Sequence, residues 1–248
     1  MYNACRVGVL SDASVMRGTL SMEKHRRLRE TDIIARLPDS ERALLYQESV
    51  RKKYPKCAII HSPGDRGEFV NYVLSGRVKI YNLSACGKEI IYRFCTSNSF
   101  FGIAEIFGED REVFAESMEE TEVMCIAKER FEDLIRRHPD IALMVMQILG
   151  SRIRQAHRAI MDFVVCDVRA RLAQLLIKLA EMNGVVNKDG TTTLKNKFTH
   201  QEMANMIGAI RQTVNVNIND LKRAGYIRCA DGRITIVSMS RLHELTAD

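Results

Sequence analysis

The stretch THQEMANMIGAIRQTVNVNINDLKR, residues 199–223, carries the clearest structural pattern in the chain. Thr199 is followed three residues later by Glu202, a capping box that predicts the start of a helix. Gly208 predicts its end, because glycine readily adopts the left-handed conformation that closes helices. A second helix restarts near Ile210, and its inward positions recur at helical spacing, at Val214, Ile218 and Leu221. The stretch therefore predicts two short helices joined by a tight turn.

The outward face of the second helix is polar but almost uncharged. An ordinary solvated helix face would carry Glu and Lys, whereas Arg, Gln and Asn make paired hydrogen bonds to guanine and adenine edges in the major groove. We therefore predict DNA base contacts from this face, against the alternative of any antiparallel helix pair packed on a core. The residues are Arg211, Gln212, Asn215, Val216 and Asn219.

A β hairpin is predicted directly after the two helices. Residues 226–229 and 234–237 flank the turn ADGR, which contains the Asp-Gly pair typical of hairpins. This arrangement is a winged helix, and its basic residues Arg228 and Arg233 are predicted to contact phosphates. Residues 167–248 hold twelve Lys or Arg against eight Asp or Glu, so +4 of the net charge of +6 lies here. That excess fits a nucleic acid partner.

The length of the chain predicts a second domain upstream, because 248 residues can bury two modest cores. No apolar run approaches the roughly 18 residues needed to cross a membrane, and residues 1–15 lack a signal-peptide pattern. A cytoplasmic location without membrane contact is expected. The seven cysteines are scattered and include no Cys-x-x-Cys pair, so neither a disulfide framework nor a metal site is predicted.

Short apolar or alternating runs upstream predict a small β roll. Turn sequences such as SPGD and SACGK separate them, which favours an antiparallel barrel or jelly roll. A short helix is predicted over residues 39–51, and residues 1–36 are interpreted as an extension that includes a solvated, partly helical segment, EKHRRLRE. The predicted strands lie at residues 57–61, 72–74, 78–83, 90–94, 100–103 and 123–126.

A long helix is predicted after His138 and Pro139. Its apolar residues repeat at spacings of three and four over about two and a half heptads, the a/d pattern of a coiled coil. A parallel homodimer is favoured over packing of this dimer seam on the β roll of the same chain. Two recognition helices would then enter successive major grooves of a palindromic operator. The dimer seam comprises Met146, Leu149, Ile153, Ala156, Ile160 and Phe163.

The order of β roll, long helix, hinge and winged helix resembles the bacterial cyclic-AMP receptor protein and fumarate-nitrate regulator (Crp/Fnr) superfamily of transcription factors. The motifs that carry the resemblance run from about residue 37 to the end. They are IIHSPGD, VLSGRVKIY, ACGKEI, FFG, PDIA, DVRARLAQLLIKLA and FTHQEMANMIGAIRQTV.

The resemblance implies an α+β protein with a sensing β roll at residues 37–138, a dimerisation helix and hinge at 139–166, and a winged helix-turn-helix domain at 167–248. It implies a regulator that reorients its DNA-binding domains about the hinge, residues 164–167, in response to a small molecule or redox signal. RNA polymerase is an implied partner. Further implied phosphate contacts come from Thr199, His200, Gln201 and Thr213.

The effector pocket implied by the resemblance departs from the cyclic-AMP binders. In those proteins a Gly-Glu pair holds the ribose, and an Arg followed by Ser or Thr holds the phosphate. Here the glutamate position is Ile103, although Glu105 is close in sequence. Arg111 is retained, but the next residue is Glu112, whose carboxylate would repel a phosphate diester.

The adenine-reading Thr-Ser pair of the cyclic-AMP binders falls on Ala156 and His157. Cyclic AMP is therefore not the expected ligand, and a cyclic-AMP-responsive regulator is kept as the alternative. Arg111 is expected instead to form a salt bridge with Glu105, Glu109 or Glu112.

Other effectors leave weaker traces in the sequence. An iron-sulfur sensor needs clustered N-terminal cysteines, and only Cys5 lies in that region. Haem needs axial His, Cys or Met ligands, and none of those present sits in a distinguishing motif. Haem or nitric oxide, thiol oxidation and an organic ligand all stay open.

No motif in the sequence indicates an enzyme. A cupin-like metalloenzyme would place two or three His and a Glu around one metal, but residues 57–126 contain a single histidine, His61. Nucleophile motifs, a P-loop and a Gly-x-Gly-x-x-Gly pattern are missing from the sequence. A signalling adaptor would present acidic or apolar residues in place of Arg211 and Gln212. A DNA-binding regulator is the predicted function.

Overall fold

The described residues of the N-terminal part of the chain combine eight strands with α-helices and the 3-10 helix Ala104–Phe107. The computed structural model describes residue 33 and residues 35–107 and 110–246. The strands are β1 Ser49–Tyr54, β2 Ile59–His61, β3 Phe69–Ser75, β4 Arg77–Leu83, β5 Glu89–Thr96, β6 Ser99–Phe101, β7 Phe114–Ser117 and β8 Thr121–Ala127. They form two antiparallel four-stranded sheets, ordered β1-β8-β3-β6 and β2-β7-β4-β5. The predicted β roll is confirmed.

The two sheets enclose a small apolar core between their inner faces. Val73 and Val123 from the first sheet and Val78 and Cys95 from the second are completely buried in it. The turn between β3 and β4 contains Gly76 at φ +86, where a Cβ would lie 2.5 Å from Oγ1 of Thr121. Only glycine fits this turn, because both the backbone conformation and the space exclude a side chain.

Helices cover the outer face of the first sheet. They are α1 Asp39–Gln47, α2 Lys128–Arg137 and the 27-residue α3 Pro139–Val165, which confirms the predicted long helix. Pro139 opens α3, a position where proline's fixed φ and missing N–H are tolerated. The start of α3 packs on the sheet through Ile141 and Ile148, both fully buried. Its later turns extend beyond the roll.

The predicted helix over residues 39–51 is partly wrong, because it ends at Gln47 and Ser49–Tyr54 is strand β1. This strand pairs antiparallel with β8, with Ser49 opposite Ile126. Its middle residues are exposed and mostly basic, so the sequence lacks the apolar alternation that marks strands. Lys and Arg suit an edge strand, since they discourage pairing with other chains. Tertiary pairing with β8 therefore overrides the local pattern.

The C-terminal part combines four helices with a four-stranded sheet ordered β11-β12-β10-β9. Helix α4 Val168–Asn183 begins at Asp167, whose Oδ1 accepts a hydrogen bond from the Ala170 amide at 2.7 Å. The other elements are β9 Gly184–Val186, β10 Thr192–Leu194, α5 His200–Ile207, α6 Arg211–Arg223, β11 Ile227–Ala230, β12 Arg233–Ile236 and α7 Met239–Glu244. The predicted winged helix is confirmed; β9 and β10 were not predicted.

The described residues contain no helix that is both long and apolar enough to cross a membrane. The predicted helical tail EKHRRLRE, residues 23–30, lies outside the described residues. Glu109, one of the three expected partners of Arg111, also lies outside them.

Candidate nucleic-acid interface and effector pocket

The capping box predicted at Thr199 starts α5. The Glu202 amide donates to Oγ1 of Thr199 at 3.1 Å, and the Thr199 amide donates to the Glu202 carboxylate at 2.6 Å. Gly208 closes the helix in the left-handed conformation at φ 64, as predicted. Ile210 is the N-cap of α6. The two helices therefore meet in the turn that the sequence predicts.

Helix α6 buries one face and exposes the other. Val214, Ile218 and Leu221 are 0%, 2% and 0% exposed and belong to the C-terminal core. The opposite face presents the side chains proposed from sequence to contact bases, and all five are exposed: Arg211, Gln212, Asn215, Val216 and Asn219. The helix thus offers one guanidinium and three amides to a partner. These groups match the donors and acceptors of base edges in the major groove.

The wing turn has the geometry expected of an Asp-Gly hairpin. Asp231 and Gly232 have φ values of 51 and 75, and Ala230 pairs with Arg233 across the two-residue loop. Arg228 and Arg233 are exposed on the two strands. Lys197, which was not predicted as a contact, lies beside the wing, since a Cβ on Gly232 would be 3.5 Å from its Cδ. The basic run KNK, residues 195–197, is the sequence feature from which Lys197 could have been predicted.

The family pattern predicts several phosphate contacts, but some of these side chains already use their hydrogen-bond donors within the protein. The Thr199 hydroxyl already donates to Glu202 Oε2 at 2.9 Å. The Gln201 amide donates to Oδ1 of Asn205 at 2.8 Å. The backbone N–H groups of the first turn of α5, including those of His200 and Gln201, point along the helix axis and suit an anion. Thr213 is half-buried on α6. The helix terminus is thus the better phosphate donor here.

The effector pocket proposed from sequence is filled by its own side chains. Ile103, Glu105 and Arg111 are 1%, 7% and 4% exposed. Nη1 of Arg111 lies 3.0 Å from Oε2 of Glu105 and donates to the Gly102 carbonyl at 3.3 Å, while Nη2 donates to the Phe69 carbonyl. Of the three carboxylates expected to pair with Arg111, Glu105 does so. Glu112 is exposed.

His61 lies buried near this ion pair with one ring nitrogen unsatisfied. Nδ1 is 3.0 Å from the Val113 carbonyl and must carry the proton, because a carbonyl only accepts. Nε2 is buried without a hydrogen-bond partner. Burial, and then the Arg111 charge, lower the pKa of His61 from 6.5 to about 4. The folded protein therefore holds this histidine neutral.

Ala156 and His157, the other proposed pocket residues, are exposed on α3. They lie about 12 Å along the helix axis from Ile148, whose cluster contains Ile103, because each residue adds about 1.5 Å. They face solvent in the single chain, whereas Ile103 and Arg111 are buried.

The proposed dimer seam is mostly exposed on α3. Met146, Ile153, Ile160 and Phe163 are 58%, 56%, 60% and 50% exposed. Leu149 differs, since it is half-buried and packs against the core beneath α3. Large apolar side chains exposed in a row along one helix are typical of an interface.

Two sequence profiles match the chain. The cyclic nucleotide-binding domain matches residues 51–138, and the Crp-like helix-turn-helix domain matches residues 170–245. The first match falls on the β roll and the start of its helical cover. The second falls on the winged helix.

Curated relatives and solved structures agree with these profiles. The global nitrogen regulator of Synechocystis sp. is 30% identical over 190 residues, covering 75% of this chain and 84% of the relative. The cAMP-activated global transcriptional regulator CRP of Pasteurella multocida is 30% identical over 193 residues, covering 76% and 90%. A CooA mutant from Carboxydothermus hydrogenoformans has a TM-score of 0.71 at 26% identity, covering 83% and 90%.

Proposed function

This chain belongs to the Crp/Fnr family of transcription regulators, and we propose that it acts as a homodimer that reads an inverted DNA repeat through helix α6. The observation that carries the proposal is the exposed polar face of α6, which lies beside the basic wing of the same domain. Arg211 contacts guanine through O6 and N7, and Gln212 suits adenine. Asn215, Val216 and Asn219 complete the base-reading face.

The phosphate contacts of the proposal come from the wing and from the first turn of α5. Arg228, Arg233 and Lys197 supply cations, while the backbone of His200 and Gln201 supplies N–H donors. Thr213, in the first turn of α6, and Thr199, whose hydroxyl would exchange Glu202 for a phosphate, fix the register of the protein on the duplex. Such contacts strengthen binding to all sequences, because every duplex carries the same phosphates.

The dimer of the proposal forms along α3. Packing the seam residues against the same face of a second chain removes their apolar surface from water, at about 25 cal/mol per Å². The proposed domains are an extension at residues 1–36, a sensing roll at 37–138, a dimer helix and hinge at 139–166, and a DNA-binding domain at 167–248. RNA polymerase is the proposed partner at promoters.

The effector of the proposal is a molecule or signal other than cyclic AMP. Arg111 already has a carboxylate and two carbonyl partners, so binding a phosphate there would first require breaking a buried ion pair. Glu112 adds a negative charge at the next position. Identity to relatives does not choose the effector, since a nitrogen regulator and a cAMP-activated regulator are both 30% identical to this chain.

Selection of binding sites from random duplexes tests the proposed function. The expected product is an inverted repeat with one invariant guanine in each half-site. It differs from the TGTGA half-site of the cyclic-AMP receptor protein, because Val216 stands where the family pattern carries a second guanine-contacting arginine. An unaltered TGTGA consensus, or no enrichment of any repeat, overturns the assignment of the reading face.

A further inference from the structure

The outer face of the sheet β2-β7-β4-β5 packs against the DNA-binding domain. Tyr81, Ile91 and Phe94 of the roll share one buried cluster with the C-terminal core. The ring centroids of Phe94 and Phe198 are 5.6 Å apart, and the Arg77 guanidinium lies 5.0 and 5.2 Å from them. The orientation of the DNA-binding domain is therefore held by contacts in addition to the hinge.

A polar relay crosses this interface beside the apolar contact. Lys79, only 7% exposed, lies between Glu89 at 2.5 Å and Glu116 at 3.0 Å. The other carboxylate oxygen of Glu89 accepts a hydrogen bond from Nδ2 of Asn205, on α5, at 3.0 Å. Oδ1 of Asn205 accepts in turn from Gln201. Asn205 is only 6% exposed, so its side-chain amide is directed to the β roll and not to solvent.

The hairpin that joins β4 to β5 also reaches the turn of the helix-turn-helix. Nζ of Lys88 donates to the Ala209 carbonyl at 3.1 Å. Ala209 comes directly before Ile210, the N-cap of α6, so the bond lies at the base of the recognition helix. The carbonyl end of α5 carries partial negative charge, which favours an ammonium group there.

The end of the dimer helix touches the same turn from α3. A Cβ on Gly208 would lie 2.6 Å from Cε1 of Phe163, so the phenyl ring sits directly on the turn. The Arg171 guanidinium lies 5.0 Å from the centre of that ring. The turn that precedes α6 is thus contacted both by the β roll and by α3.

We propose that Lys88, Glu89 and Asn205 form a clasp that positions the recognition helix and so sets the half-site spacing that the dimer accepts. The inference rests on the proposed reading of DNA by α6. None of the three residues is assigned a contact with DNA or effector. Their hydrogen bonds join the roll, which is fixed to α3, to the helix pair that reads bases.

The physical basis is a restriction of orientations. With the clasp closed, the two recognition helices of a dimer keep one separation, and a duplex with another spacing must bend or twist to match it. With the clasp open, the hinge allows further orientations. Binding to the correct spacing then weakens, because the competent orientation is a smaller fraction of the population. Affinity for duplexes with other spacings falls by a smaller factor.

The test compares duplexes that carry the selected repeat with its own spacing, or with one base pair more or less. Lys88→Ala removes a single interdomain hydrogen bond from an exposed side chain. It is expected to lower affinity for the native spacing about three- to tenfold. It should also reduce the difference in affinity between the native spacing and the altered spacings. Lys88→Arg, which keeps a donor, is expected to restore both. Asn205→Ala should narrow the difference in the same way, with thermal melting as the check on its folding.

Lys56→Ala is the matched control, because it removes the same charge from an exposed position between β1 and β2. It should leave spacing discrimination at the wild-type value. Wild-type discrimination in Lys88→Ala overturns the clasp, since that variant decides independently of how well Asn205→Ala folds. Failure of the proposed function looks different: wild-type protein then shows no preference for any selected repeat.

Discussion

Arg211 is the first residue of α6 and is exposed, which suits a bidentate contact to one guanine. We predict that Arg211→Ala weakens operator binding by about 1 to 3 kcal/mol and relaxes selection at that base alone. Competition binding against duplexes substituted at each position measures this. Loss of discrimination at several positions would assign Arg211 to a positioning role instead.

Arg233→Ala is the matched control for that variant, because it also removes one exposed guanidinium from the same domain. As a phosphate contact, it should weaken all duplexes alike and lower the slope of affinity against salt by about one unit per chain. The two variants are therefore distinguished by whether base selectivity changes, and not by how much affinity is lost.

Glu105 neutralises a guanidinium that is only 4% exposed. Glu105→Ala leaves this buried charge without its carboxylate, and we predict a loss of about 3 to 5 kcal/mol of unfolding free energy. Glu112→Ala removes an exposed carboxylate one residue from Arg111 and should change stability by less than about 0.5 kcal/mol. Denaturant titration of both variants measures the difference. Equal effects would show that Glu105 does not hold Arg111.

His61 predicts a pH dependence of stability. Its pKa is about 4 in the folded protein against an ordinary value of 6.5. Between these values the unfolded chain binds a proton that the folded chain excludes, so stability falls as the pH is lowered from 6.5 to 4. Below about pH 4 the contribution is constant. The loss is about 3 kcal/mol.

His61→Asn keeps a donor for the Val113 carbonyl but cannot titrate. Denaturant unfolding at several pH values should therefore give a flatter profile for this variant in that window. A variant profile parallel to the wild-type profile would place the acid sensitivity in other groups.

Among the helices and strands, α3 is the one that we predict to form the dimer. Ile153→Glu with Ile160→Glu places two carboxylates on the exposed apolar row, where closing an interface would desolvate them. Sedimentation should then show monomers that bind the operator poorly. Gln147→Glu with Gln155→Glu adds the same charge at exposed positions outside the seam and should leave the dimer intact. A dimeric seam variant contradicts the assignment of the seam.

Elements with a strong local pattern could be predicted from the sequence. Helix α5 has its capping box and terminal glycine, and α3 has a long apolar repeat, so local rules suffice for both. Strands β1 and β7 escaped prediction because their pairing partners are distant in sequence, and β9 and β10 because each is only three residues long. β1 pairs with a strand about 70 residues away and shows no alternation of its own.

The candidate sites divide in the same way. The outward and inward faces of α6 follow from helical periodicity, and burial agrees at Val214, Ile218 and Leu221. The partner of Arg111 could not be chosen among three nearby glutamates, because that choice depends on how the loop after β6 folds back. The contact of Lys88 with Ala209 spans 121 residues and leaves no trace in local sequence.

For the protein as a whole, any ligand that binds the folded state adds to its stability. A ligand that binds only the folded protein, present at 1,000 times its dissociation constant, adds about 4 kcal/mol of stability. For a chain of this size, each kcal/mol raises the melting temperature by about 2 to 4 °C. We predict that millimolar cyclic AMP produces no such rise and no gain in operator affinity, because Arg111 is held by Glu105 and Glu112 disfavours a phosphate.

Adenosine monophosphate at the same concentration controls for general ionic effects, since it carries the same base and a phosphate that is not cyclised. Calorimetric titration gives the direct comparison between the two nucleotides. Micromolar binding of cyclic AMP alone, with a melting rise to match, would return Arg111 to a phosphate-binding role. It would also require the buried ion pair between Arg111 and Glu105 to open on binding. Glu105→Ala removes that pair, so this variant would then bind the nucleotide more tightly than the wild type.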